Sequence, residues 1–441
     1  MPAPAPSVPL AVVVLAAGLG KRTKVSTPKV LLPLCGRTLL GTVLDTVREL
    51  QPERTVVVLH HGKAEVEKAL AGRTDLTLVD QGEPRGTGHA VRVAAEALGG
   101  FHGEVLVVYG DCPLITATTL GELRKARRAA GGKRPAAAAV VTAFPDDPSG
   151  LGRILRDAEG EFTGIREEKD CSPEERELDE INAGFYCFAS EALFAALPRL
   201  SDQNAQREYY LTDVLGILAR ERAGIATLVV PDAREVQGVN SLRELALARE
   251  LMQERILVGH LANGVLIEDP NTTYIDHGVR IGRDTRILPC TVIRAGCAIG
   301  AHCEVGPFAH LRAGTVLEDG AEIGNFVEVK KSVVGAGTKA KHLTYLGDAV
   351  IGARANIGAG TITANYDGRA KHETRIGDGA FVGSGTVLVA PSEMGPQSMT
   401  GAGAVVTRNT RIEAGEVYVG VPARALPGRK RRGDEAAKGG S

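Results

Sequence analysis

Residues 275–329 read IDHGVR-IGRDTR-ILPCTV-IRAGCA-IGAHCE-VGPFAH-LRAGTV-LEDGAE-IGNFVE-V, so that an aliphatic side chain returns at every sixth position. Strands have a period of about 2 residues and helices one of about 3.6, and neither gives this spacing. A β-solenoid gives it, because each short strand points one aliphatic side chain inward and coils stacked about 4.8 Å apart bury a continuous column. The inward positions are Ile275, Ile281, Ile287, Ile293, Ile299, Val305, Leu311, Leu317, Ile323 and Val329.

The period is interrupted and then resumes. Its later members are Ile376, Val382, Leu388 and Met394. The interruptions at about 335–350 and 363–375 predict loops or register shifts, where residues without a structural role collect. The pattern resembles that of hexapeptide-repeat proteins. This resemblance implies an all-β left-handed parallel β-helix over 261–425, three hexapeptides per coil, and a homotrimer with sites between subunits.

The first half of the chain follows another pattern. From residue 8 to 240, β-branched runs such as Val12–Leu15 and Val105–Val108 alternate with helical stretches rich in Ala, Leu and Glu. This alternation predicts a Rossmann-like α/β domain with a parallel sheet, which binds ligands at the carboxyl ends of its strands.

Two further segments connect and end these domains. Ser241 and Glu244 match a capping box, which predicts a linker helix over 241–260 with Leu245, Ala248 and Met252 on one face. Residues 426–441 lack an apolar period, so they are predicted to be a disordered, solvated tail despite the basic run Arg429–Arg432.

Composition excludes several classes of protein. The 441 residues are 44% hydrophobic and 24% charged, and the formal net charge of -1 leaves no global field to recruit nucleic acid or an anionic membrane. No apolar run reaches the roughly 18 residues of a membrane span, and the N-terminus lacks a signal peptide, so a cytoplasmic location is expected. Seven cysteines without a C-x-x-C pair argue against a disulfide framework and a zinc site. Cys290, Cys297 and Cys303 are predicted to be small buried residues.

A glycine-rich loop follows the first strand. It reads LAAGLGKR over 15–22, with Pro28 and Lys29 beyond it. Glycines let backbone N–H groups approach phosphates, and cations such as Arg22 and Lys29 can neutralise a triphosphate. Thr23 replaces the third glycine of the dinucleotide fingerprint, and no P-loop motif is present.

Further motifs follow in a definite order. They are QGEPRGTGHA over 81–90, YGD over 109–111, GLGRI over 150–154, EEKD over 167–170, EINAG over 180–184 and GVN over 238–240. A carboxylate at the end of an apolar strand suits Mg²⁺. Together these motifs resemble sugar-1-phosphate nucleotidyltransferases, and their order resembles the uridyltransferase arm of the bifunctional N-acetylglucosamine-1-phosphate uridyltransferase / glucosamine-1-phosphate N-acetyltransferase family.

The resemblance implies roles for individual residues of the first domain. Asp111 and Asn240 would hold Mg²⁺, and Gln81, Gly86 and Thr87 would contact the uracil, although Gln81 alone leaves the choice of base open. The family usually has Thr-Arg-Met where this chain has Lys21-Arg22-Thr23, so the contacts of this loop are in question. The implied nucleotide and sugar-nucleotide residues are Leu15, Ala16, Ala17, Gly18, Arg22, Lys29, Gln81, Gly86, Thr87, Tyr109, Gly110, Asp111, Gly152, Glu167, Asn182 and Asn240.

A second polar constellation lies where the six-residue period breaks. It comprises KHLTYLGD over 341–348, NIGAGTITANYDG over 356–368, and Lys371. A histidine with a pKa near neutrality can take a proton from an attacking ammonium, as acyl transfer from a thioester requires. Nearby cations and hydroxyl groups suit a phosphorylated sugar.

These segments resemble the acetyltransferase arm of the same family. The resemblance implies that His342 is the general base, that Arg312, Lys330, Tyr345, Asn356 and Lys371 bind glucosamine-1-phosphate, and that Asn365, Tyr366, Ser384 and Ala402 contact acetyl-CoA. The family often has another CoA-contacting arginine within S-R-x-P, where this chain reads VGVPAR over 419–424. That contact is either absent here or supplied by Arg408 or Arg424.

Three functions follow from these patterns. The favoured one is a bifunctional enzyme that acetylates glucosamine-1-phosphate with acetyl-CoA and then couples the product to UTP with Mg²⁺. By resemblance, its UDP-N-acetylglucosamine would feed peptidoglycan and lipopolysaccharide synthesis. The alternatives are a single-activity nucleotidyltransferase for another sugar, whose repeat domain only oligomerises or regulates, and a non-enzymatic assembly factor. Retention of Lys29, Asp111 and Asn240 together speaks against the last.

Overall fold

The structure is a computed structural model that describes residues 8–18, 20, 22–130 and 135–430, with side chains as far as 426. The chain forms two compact units, Met1–Arg249 and Glu250–Ser441. Within the described parts, no helix is both long and apolar enough to cross a membrane.

The first unit is built on a mostly parallel sheet. Its order is β11-β7-β10-β6-β1-β4-β5, with β10 antiparallel to β6 and β7, and with the β8–β9 hairpin joined to β10. A small hairpin, β2–β3, stands apart from it. The strands are β1 Leu10–Leu15, β2 Pro33–Leu34, β3 Arg37–Thr38, β4 Arg54–Leu59, β5 Thr77–Asp80, β6 Glu104–Tyr109, β7 Ala138–Ala143, β8 Arg153–Arg156, β9 Phe162–Arg166, β10 Ile181–Ala189 and β11 Ile225–Val229.

Helices pack on both faces of this sheet, because the central residues of β1, β4, β6 and β7 are apolar and are buried on both faces. The helices of this unit are α1 Leu39–Glu49, α2 Lys63–Leu70, α3 Thr87–Ala97, α4 Ala117–Ala129, α5 Pro173–Arg176, α6 Ser190–Ala196 and α7 Thr212–Arg220. A further helix, α8 Leu242–Ala262, begins in this unit and ends in the second. Short 3-10 turns cover Lys29–Leu31, Glu168–Asp170, Leu197–Arg199 and Ala233–Val236. The predicted Rossmann-like class is confirmed.

The sheet has a topological switch point at β1. The chain runs from β1 outward through β4 to β5 and then returns to β6 on the other side of β1. Ligands of such sheets bind in the crevice at the carboxyl ends of the strands on either side of this point. Here those ends are Leu15 and Tyr109, which are register partners.

The start of α8 differs in detail from the predicted capping box. The Ser241 hydroxyl accepts the Glu244 N–H at 3.2 Å, as the pattern predicts. The Glu244 carboxylate, however, accepts the N–H of Asn240 at 2.6 Å rather than that of Ser241. Leu245, Ala248 and Met252 are buried as expected. The same motif that starts the helix therefore also fixes the backbone of Asn240.

The second unit is a three-sided parallel β-helix, as predicted. Side one contains Leu266–Ile267, Arg286–Ile287, Glu304–Val305, Glu322–Asn325, Lys339–His342, Asn356–Ile357, Phe381–Val382, Met399–Thr400 and Glu416–Val419. Side two contains Tyr274–Ile275, Val292–Ile293, His310–Leu311, Glu328–Lys330, Tyr345–Gly347, Ile362–Ala364, Val387–Val389 and Val405–Val406. Side three contains Arg280–Ile281, Ala298–Ile299, Val316–Leu317, Val333–Val334, Ala349–Ile351, Thr374–Ile376, Ser392–Met394 and Arg411–Ile412.

The interruptions of the six-residue period have two different structures. Tyr274 pairs with Val292, which gives a coil of 18 residues, whereas Val316 pairs with Val333, one residue short of a full coil. Residues 335–350 are therefore mostly strand with a shifted register. The second interruption is a true loop, which leaves side two after Ala364 and returns to side three at Thr374. We call residues 365–373 the polar loop.

Two predictions about buried and disordered residues have mixed outcomes. Cys297 and Cys303 are buried as predicted, whereas Cys290 is only half-buried. The chain continues as a strand over Arg424–Lys430, antiparallel to Glu416–Val419, where the sequence predicted the start of a disordered tail. This strand pairs with its neighbour through backbone hydrogen bonds, which do not require apolar side chains at regular positions. The hydrophobic pattern of the sequence therefore did not predict it. The predicted tail beyond 430 lies outside the described residues.

A buried ion cluster ties α4 to the sheet. The Glu104 carboxylate is fully buried and binds Arg124, Arg127 and Arg128. Burial acts to raise the pKa of Glu104, but the hydrogen bonds from Arg128, Arg127 and Arg124 outweigh it and hold the pKa below its usual value. The cluster thus keeps a charged carboxylate inside the domain.

Replacing Glu104 with glutamine is expected to lower the free energy of unfolding of this unit by about 3 kcal/mol, because it leaves buried arginine charge uncompensated. The measurement is the urea midpoint followed by circular dichroism. Glu122→Gln is the matched control, since Glu122 forms an exposed pair with Lys125 on the same helix. That control should shift stability by less than about 1 kcal/mol. Equal midpoints for the two variants would contradict the prediction.

Candidate functional site

The switch point brings the first two loop motifs into contact. The N–H of Gly110 donates to the carbonyl of Leu15 at 2.9 Å, and the N–H of Ala16 donates to Val58 at 2.9 Å. A Cβ on Gly110 would lie 3.1 Å from Leu40 and 3.3 Å from the Leu15 carbonyl oxygen. Glycine at position 110 therefore lets the two strand ends approach closely.

Lys29, Asp111 and Asn240 converge in this crevice. The buried Lys29 ammonium binds the Asp111 carboxylate and donates to Asn240 Oδ1 at 3.0 Å. Gly18 borders the same point, since a Cβ there would lie 4.0 Å from Lys29 Nζ. The N–H of Val239 donates to the Asp111 carbonyl at 2.8 Å, which holds the strand end beside the segment of Asn240.

The oxygen atoms of this group fit a divalent cation. Asp111 and Asn240 already direct a carboxylate and an amide oxygen at one positive charge, and hard cations such as Mg²⁺ take oxygen ligands of these kinds. Within the described ranges, no group of three or more His, Cys, Asp or Glu side chains could hold a metal ion. A cation here would take few protein ligands and complete its shell with water and phosphate, as Mg²⁺ commonly does.

The second glycine-rich loop is clamped to a segment that sequence reasoning did not single out. Gln81 is buried and donates through Nε2 to the Gly86 carbonyl at 3.0 Å. Gly86 has φ +100, and a Cβ on it would lie 2.5 Å from the Tyr209 carbonyl oxygen. Thr87 Oγ1 accepts the N–H of Leu211 at 3.0 Å. Residues 209–211 therefore shape this loop, and because they do so through backbone groups, no motif in the sequence signalled it directly.

The predicted sugar-contacting residues lie together at the start of β10. The N–H of Asn182 donates to the Gly152 carbonyl at 2.8 Å, and a Cβ on Gly152 would lie 3.5 Å from Glu167 Oε2. Asn182 Nδ2 donates to the Tyr186 hydroxyl at 2.8 Å, while its Oδ1 accepts the Gly184 N–H at 3.1 Å. Hydrogen bonds within β10 thus fix the orientation of both the nitrogen and the oxygen of the Asn182 amide.

Glu167 is held by Thr212. The Thr212 hydroxyl donates to Glu167 Oε1 at 2.9 Å. Burial raises the pKa of Glu167, and the Thr212 hydrogen bond partly offsets this rise. Thr212 begins α7 directly after the segment that shapes the Gly86 loop.

The described residues of the first glycine-rich loop differ in their exposure to solvent. Arg22 is exposed, while Thr23 is buried and its hydroxyl donates to the Gly20 carbonyl at 2.8 Å. Ala16 is buried beside the crevice, and Ala17 is half-buried. Leu19 and Lys21 lie outside the described residues. The structure therefore brings Lys29, but not Arg22, to the group around Asp111.

The second unit divides its predicted site residues between two corners. The first corner, between sides one and two, carries His342, Ser384 and Ala402. Backbone hydrogen bonds connect successive coils there: Gly360 to His342, Gly385 to Ala359, and Gly403 to Ser384. With coils about 4.8 Å apart, Ser384 lies about 10 Å and Ala402 about 14 Å along the corner from the exposed His342. This strip suits an extended ligand.

The second corner, between sides two and three, carries the cations. Arg312 follows the strand His310–Leu311 and pairs with Glu328 at 2.7 Å. Lys330 lies one coil further, and the nearby Lys371 ammonium of the polar loop lowers the pKa of Lys330, with smaller contributions from burial and Arg312. Clustered exposed cations of this kind attract a phosphate.

Side two connects the corners. Tyr345 lies on its outer face, and its hydroxyl lies 3.5 Å from Asn365 Nδ2 at the second corner. Asn365 is buried and also donates to Asp348, whereas Tyr366 is exposed. Asn356 lies on side one, between Lys339 and Phe381 in register.

The first unit is thus of the nucleotidyltransferase class, joined to a hexapeptide-repeat unit with a polar loop. Residues 12–215 match the MobA-like NTP transferase domain family. The chain is 44% identical over 433 residues to the Bifunctional protein GlmU of Trichlorobacter lovleyi, covering 90% of this chain and 93% of that protein.

Two further relatives are also named Bifunctional protein GlmU. The protein of Pelotomaculum thermopropionicum is 44% identical, covering 87% of this chain and 90% of that protein. The protein of Thermobifida fusca is 42% identical, covering 98% of this chain and 96% of that protein. The chain belongs to the family of bifunctional GlmU proteins. This confirms the resemblance found in the sequence and the interpretation as a bifunctional enzyme.

Proposed function

We propose that the chain acetylates glucosamine-1-phosphate with acetyl-CoA and then transfers UMP from UTP to the product, giving UDP-N-acetylglucosamine and pyrophosphate. The observation that carries the proposal is the convergence of Lys29, Asp111 and Asn240 at the switch point. The same chain bears His342 at one corner of its β-helix and a group of cations at the next corner. We also propose a cytoplasmic location, where UTP and acetyl-CoA would be available as substrates.

In uridylyl transfer, a phosphate oxygen of the sugar phosphate attacks the α-phosphorus of UTP. The new P–O bond forms as the bond to pyrophosphate breaks, so no protein nucleophile is needed. Lys29 neutralises the phosphates, while Glu167 and Asn182 orient the sugar. Mg²⁺ held by Asp111 and Asn240 would supply additional charge stabilisation to the phosphates.

In acetyl transfer, His342 takes a proton from the ammonium of glucosamine-1-phosphate. The free amine attacks the thioester carbonyl, so that a C–N bond forms, the C–S bond breaks and CoA leaves as the thiol. Arg312, Lys330 and Lys371 would hold the sugar phosphate, with Tyr345 and Asn356 beside the sugar. Asn365, Tyr366, Ser384 and Ala402 would contact acetyl-CoA.

The division between two corners supports the proposal of a homotrimer. His342 and Lys371 lie at opposite edges of side two, so a second copy that brings its own corner alongside would complete each site. Mixed assemblies of His342→Ala and Lys371→Ala chains should then regain acetyl transfer in part. Sedimentation should give a trimeric mass; a fully active monomer would contradict this arrangement.

The activities are tested with glucosamine-1-phosphate, acetyl-CoA, UTP and Mg²⁺, by following CoA thiol and pyrophosphate separately. The proposal expects both products. Pyrophosphate formation from supplied N-acetylglucosamine-1-phosphate without any CoA release would mean that the repeat unit is a scaffold. The absence of both products would contradict the whole proposal.

Thr212→Val is expected to move the acidic limb of uridylyl transfer to higher pH. Loss of the hydroxyl donor raises the pKa of Glu167 further, and the carboxylate needed to accept sugar hydroxyl groups is lost as pH falls through that pKa. The KM for N-acetylglucosamine-1-phosphate at mildly acidic pH should rise about tenfold. Thr212→Ser retains the donor and should keep the wild-type profile. Identical profiles for the two variants would refute the role of this hydrogen bond.

A further inference from the structure

The polar loop is a compact turn organised by Asp367. Asp367 Oδ1 accepts the N–H groups of Arg369 at 2.9 Å and Ala370 at 2.8 Å. The N–H of His372 donates to the Asn365 carbonyl at 2.8 Å, which closes the base of the loop. These bonds give the loop its shape, but they do not join it to the coils that follow.

The Lys371 ammonium is repelled by the neighbouring Lys330 ammonium. It lies beside Lys330, and the Lys371 ammonium is the main reason that the pKa of Lys330 is lowered. The Asp348 carboxylate acts in the opposite direction on Lys330 and binds Asn365 at the base of the loop. Because like charges repel and Lys371 lies further out in the loop, a second attractive contact nearer to Lys371 would stabilise this arrangement.

Arg408 makes that contact from a later coil. It follows the strand Val405–Val406, two coils beyond the strand Ile362–Ala364 that leads into the loop. Arg408 Nη1 donates to Asp367 Oδ2 at 3.2 Å, and Arg408 Nη2 lies 3.0 Å from His372 Nε2. His372 Nε2 also lies 2.7 Å from Asp367 Oδ2.

The carboxylate at the centre of this contact stays ionised. The backbone N–H groups of Ala370 and Arg369, and then the ring of His372, hold the pKa of Asp367 well below its usual value. The side chains of Asp367 and His372 are only about a quarter exposed, at 27% and 25%. Charge-assisted hydrogen bonds in a partly shielded network are stronger than an isolated surface pair.

We propose that Arg408 is a positioning residue for acetyl transfer. Through Asp367, to which the His372 ring also donates, it latches the polar loop to the β-helix. The latch holds Lys371 beside Lys330 in a preformed cradle for the phosphate of the amino sugar. This inference rests on the proposed function. It also assigns Arg408 a role in the loop, in place of the CoA contact that the sequence left open for Arg408 or Arg424.

The test is Arg408→Ala in the full-length protein, with KM measured for each acetyltransferase substrate. The KM for glucosamine-1-phosphate should rise about tenfold, the scale of one lost charge-assisted anchor. The KM for acetyl-CoA should rise less than that for glucosamine-1-phosphate, because Tyr366 lies in the same loop and pairs through its backbone with Lys371. The rate of uridylyl transfer should change less than about twofold. Arg408→Lys keeps the charge but not the planar guanidinium, and should fall between wild type and Arg408→Ala.

Arg411→Ala is the matched control, because Arg411 lies on the same coil, is 67% exposed and pairs with Glu413 at 3.3 Å. It should leave both KM values unchanged. Asp367→Asn tests the other end of the latch and should reproduce the Arg408→Ala effect on glucosamine-1-phosphate. Calorimetric titration with glucosamine-1-phosphate gives a readout that does not depend on turnover.

The possible outcomes separate the explanations. A rise in the KM for acetyl-CoA alone would mean that Arg408 contacts CoA, and the latch would be wrong. Unchanged KM values in Arg408→Ala would also overturn the latch while the proposed function stands. A wild-type protein that neither binds glucosamine-1-phosphate nor releases CoA would overturn both.

Discussion

Replacing His342 with alanine is expected to lower the kcat of acetyl transfer by about 10²–10⁴-fold, the usual contribution of a general base. The attacking amine of glucosamine-1-phosphate is mostly protonated near neutral pH and must lose a proton before it can form the C–N bond. His342 is an exposed imidazole on the strip that leads to Ser384 and Ala402. Without the imidazole, water would have to take the proton from the substrate ammonium.

The measurement is initial-rate release of CoA thiol at saturating substrates, with pyrophosphate release from supplied N-acetylglucosamine-1-phosphate followed in parallel. The second rate should not change, because His342 lies in the other unit. His302→Ala is the matched control, since His302 is a 70% exposed histidine at another corner of the β-helix. If His342→Ala kept more than about a tenth of the wild-type kcat, His342 would not be the base.

The architecture of the second unit was predictable from the sequence because its physics is periodic. Each coil must bury an aliphatic side chain at a fixed point, so Ile275 through Val329 reveal the strands directly. In the sequence, a coil that is one residue short and a loop that leaves the coil both appear only as a break in the six-residue period. The structure is needed to tell that residues 335–350 stay in the coil, whereas residues 365–373 leave it.

The candidate sites were predictable to a different degree. The place of Asp111 follows from the rule that strand ends meet at one edge, since β6 ends at Tyr109, two residues before it. The role of Asn240 was implied only by the family resemblance, because Asn240 does not end a strand of the sheet. The clamp made by residues 209–211 was not predictable, because it works through backbone groups of Tyr209 and Leu211. The six-residue pattern also could not show that His342 and Lys371 lie at different corners of the β-helix. The corner at which a residue lies depends on which coils are one residue shorter than the others.

These observations predict that the two activities can be separated by mutation. Each reaction needs positioning and charge, and each set of groups is fixed by its own hydrophobic core, the sheet of the first unit and the aliphatic column of the second. A polar substitution in one crevice therefore has little physical means of disturbing the other. The sharpest test of that independence is at the switch point of the sheet.

Asp111→Asn is expected to lower the kcat of uridylyl transfer by at least about 100-fold, while acetyl transfer keeps its wild-type rate. The substitution keeps the size of the side chain but removes the negative charge that, with the Asn240 amide oxygen, faces one cation position. A bound metal supplies several kcal/mol of charge stabilisation in such reactions, and about 1.4 kcal/mol corresponds to a factor of ten in rate.

The measurement is pyrophosphate release as a function of Mg²⁺ concentration. Asp111→Asn should require more Mg²⁺ for half-maximal activity, a shift that simple unfolding would not produce. Asp146→Asn is the control, since Asp146 is exposed just beyond β7 at the same edge of the sheet, and its Mg²⁺ dependence should match that of the wild type. An Asp111→Asn variant with a reduced rate but an unchanged Mg²⁺ requirement would show that Asp111 acts through Lys29 alone. In that case the cation would have to be held by the phosphates, and Asn240 would serve to orient the lysine.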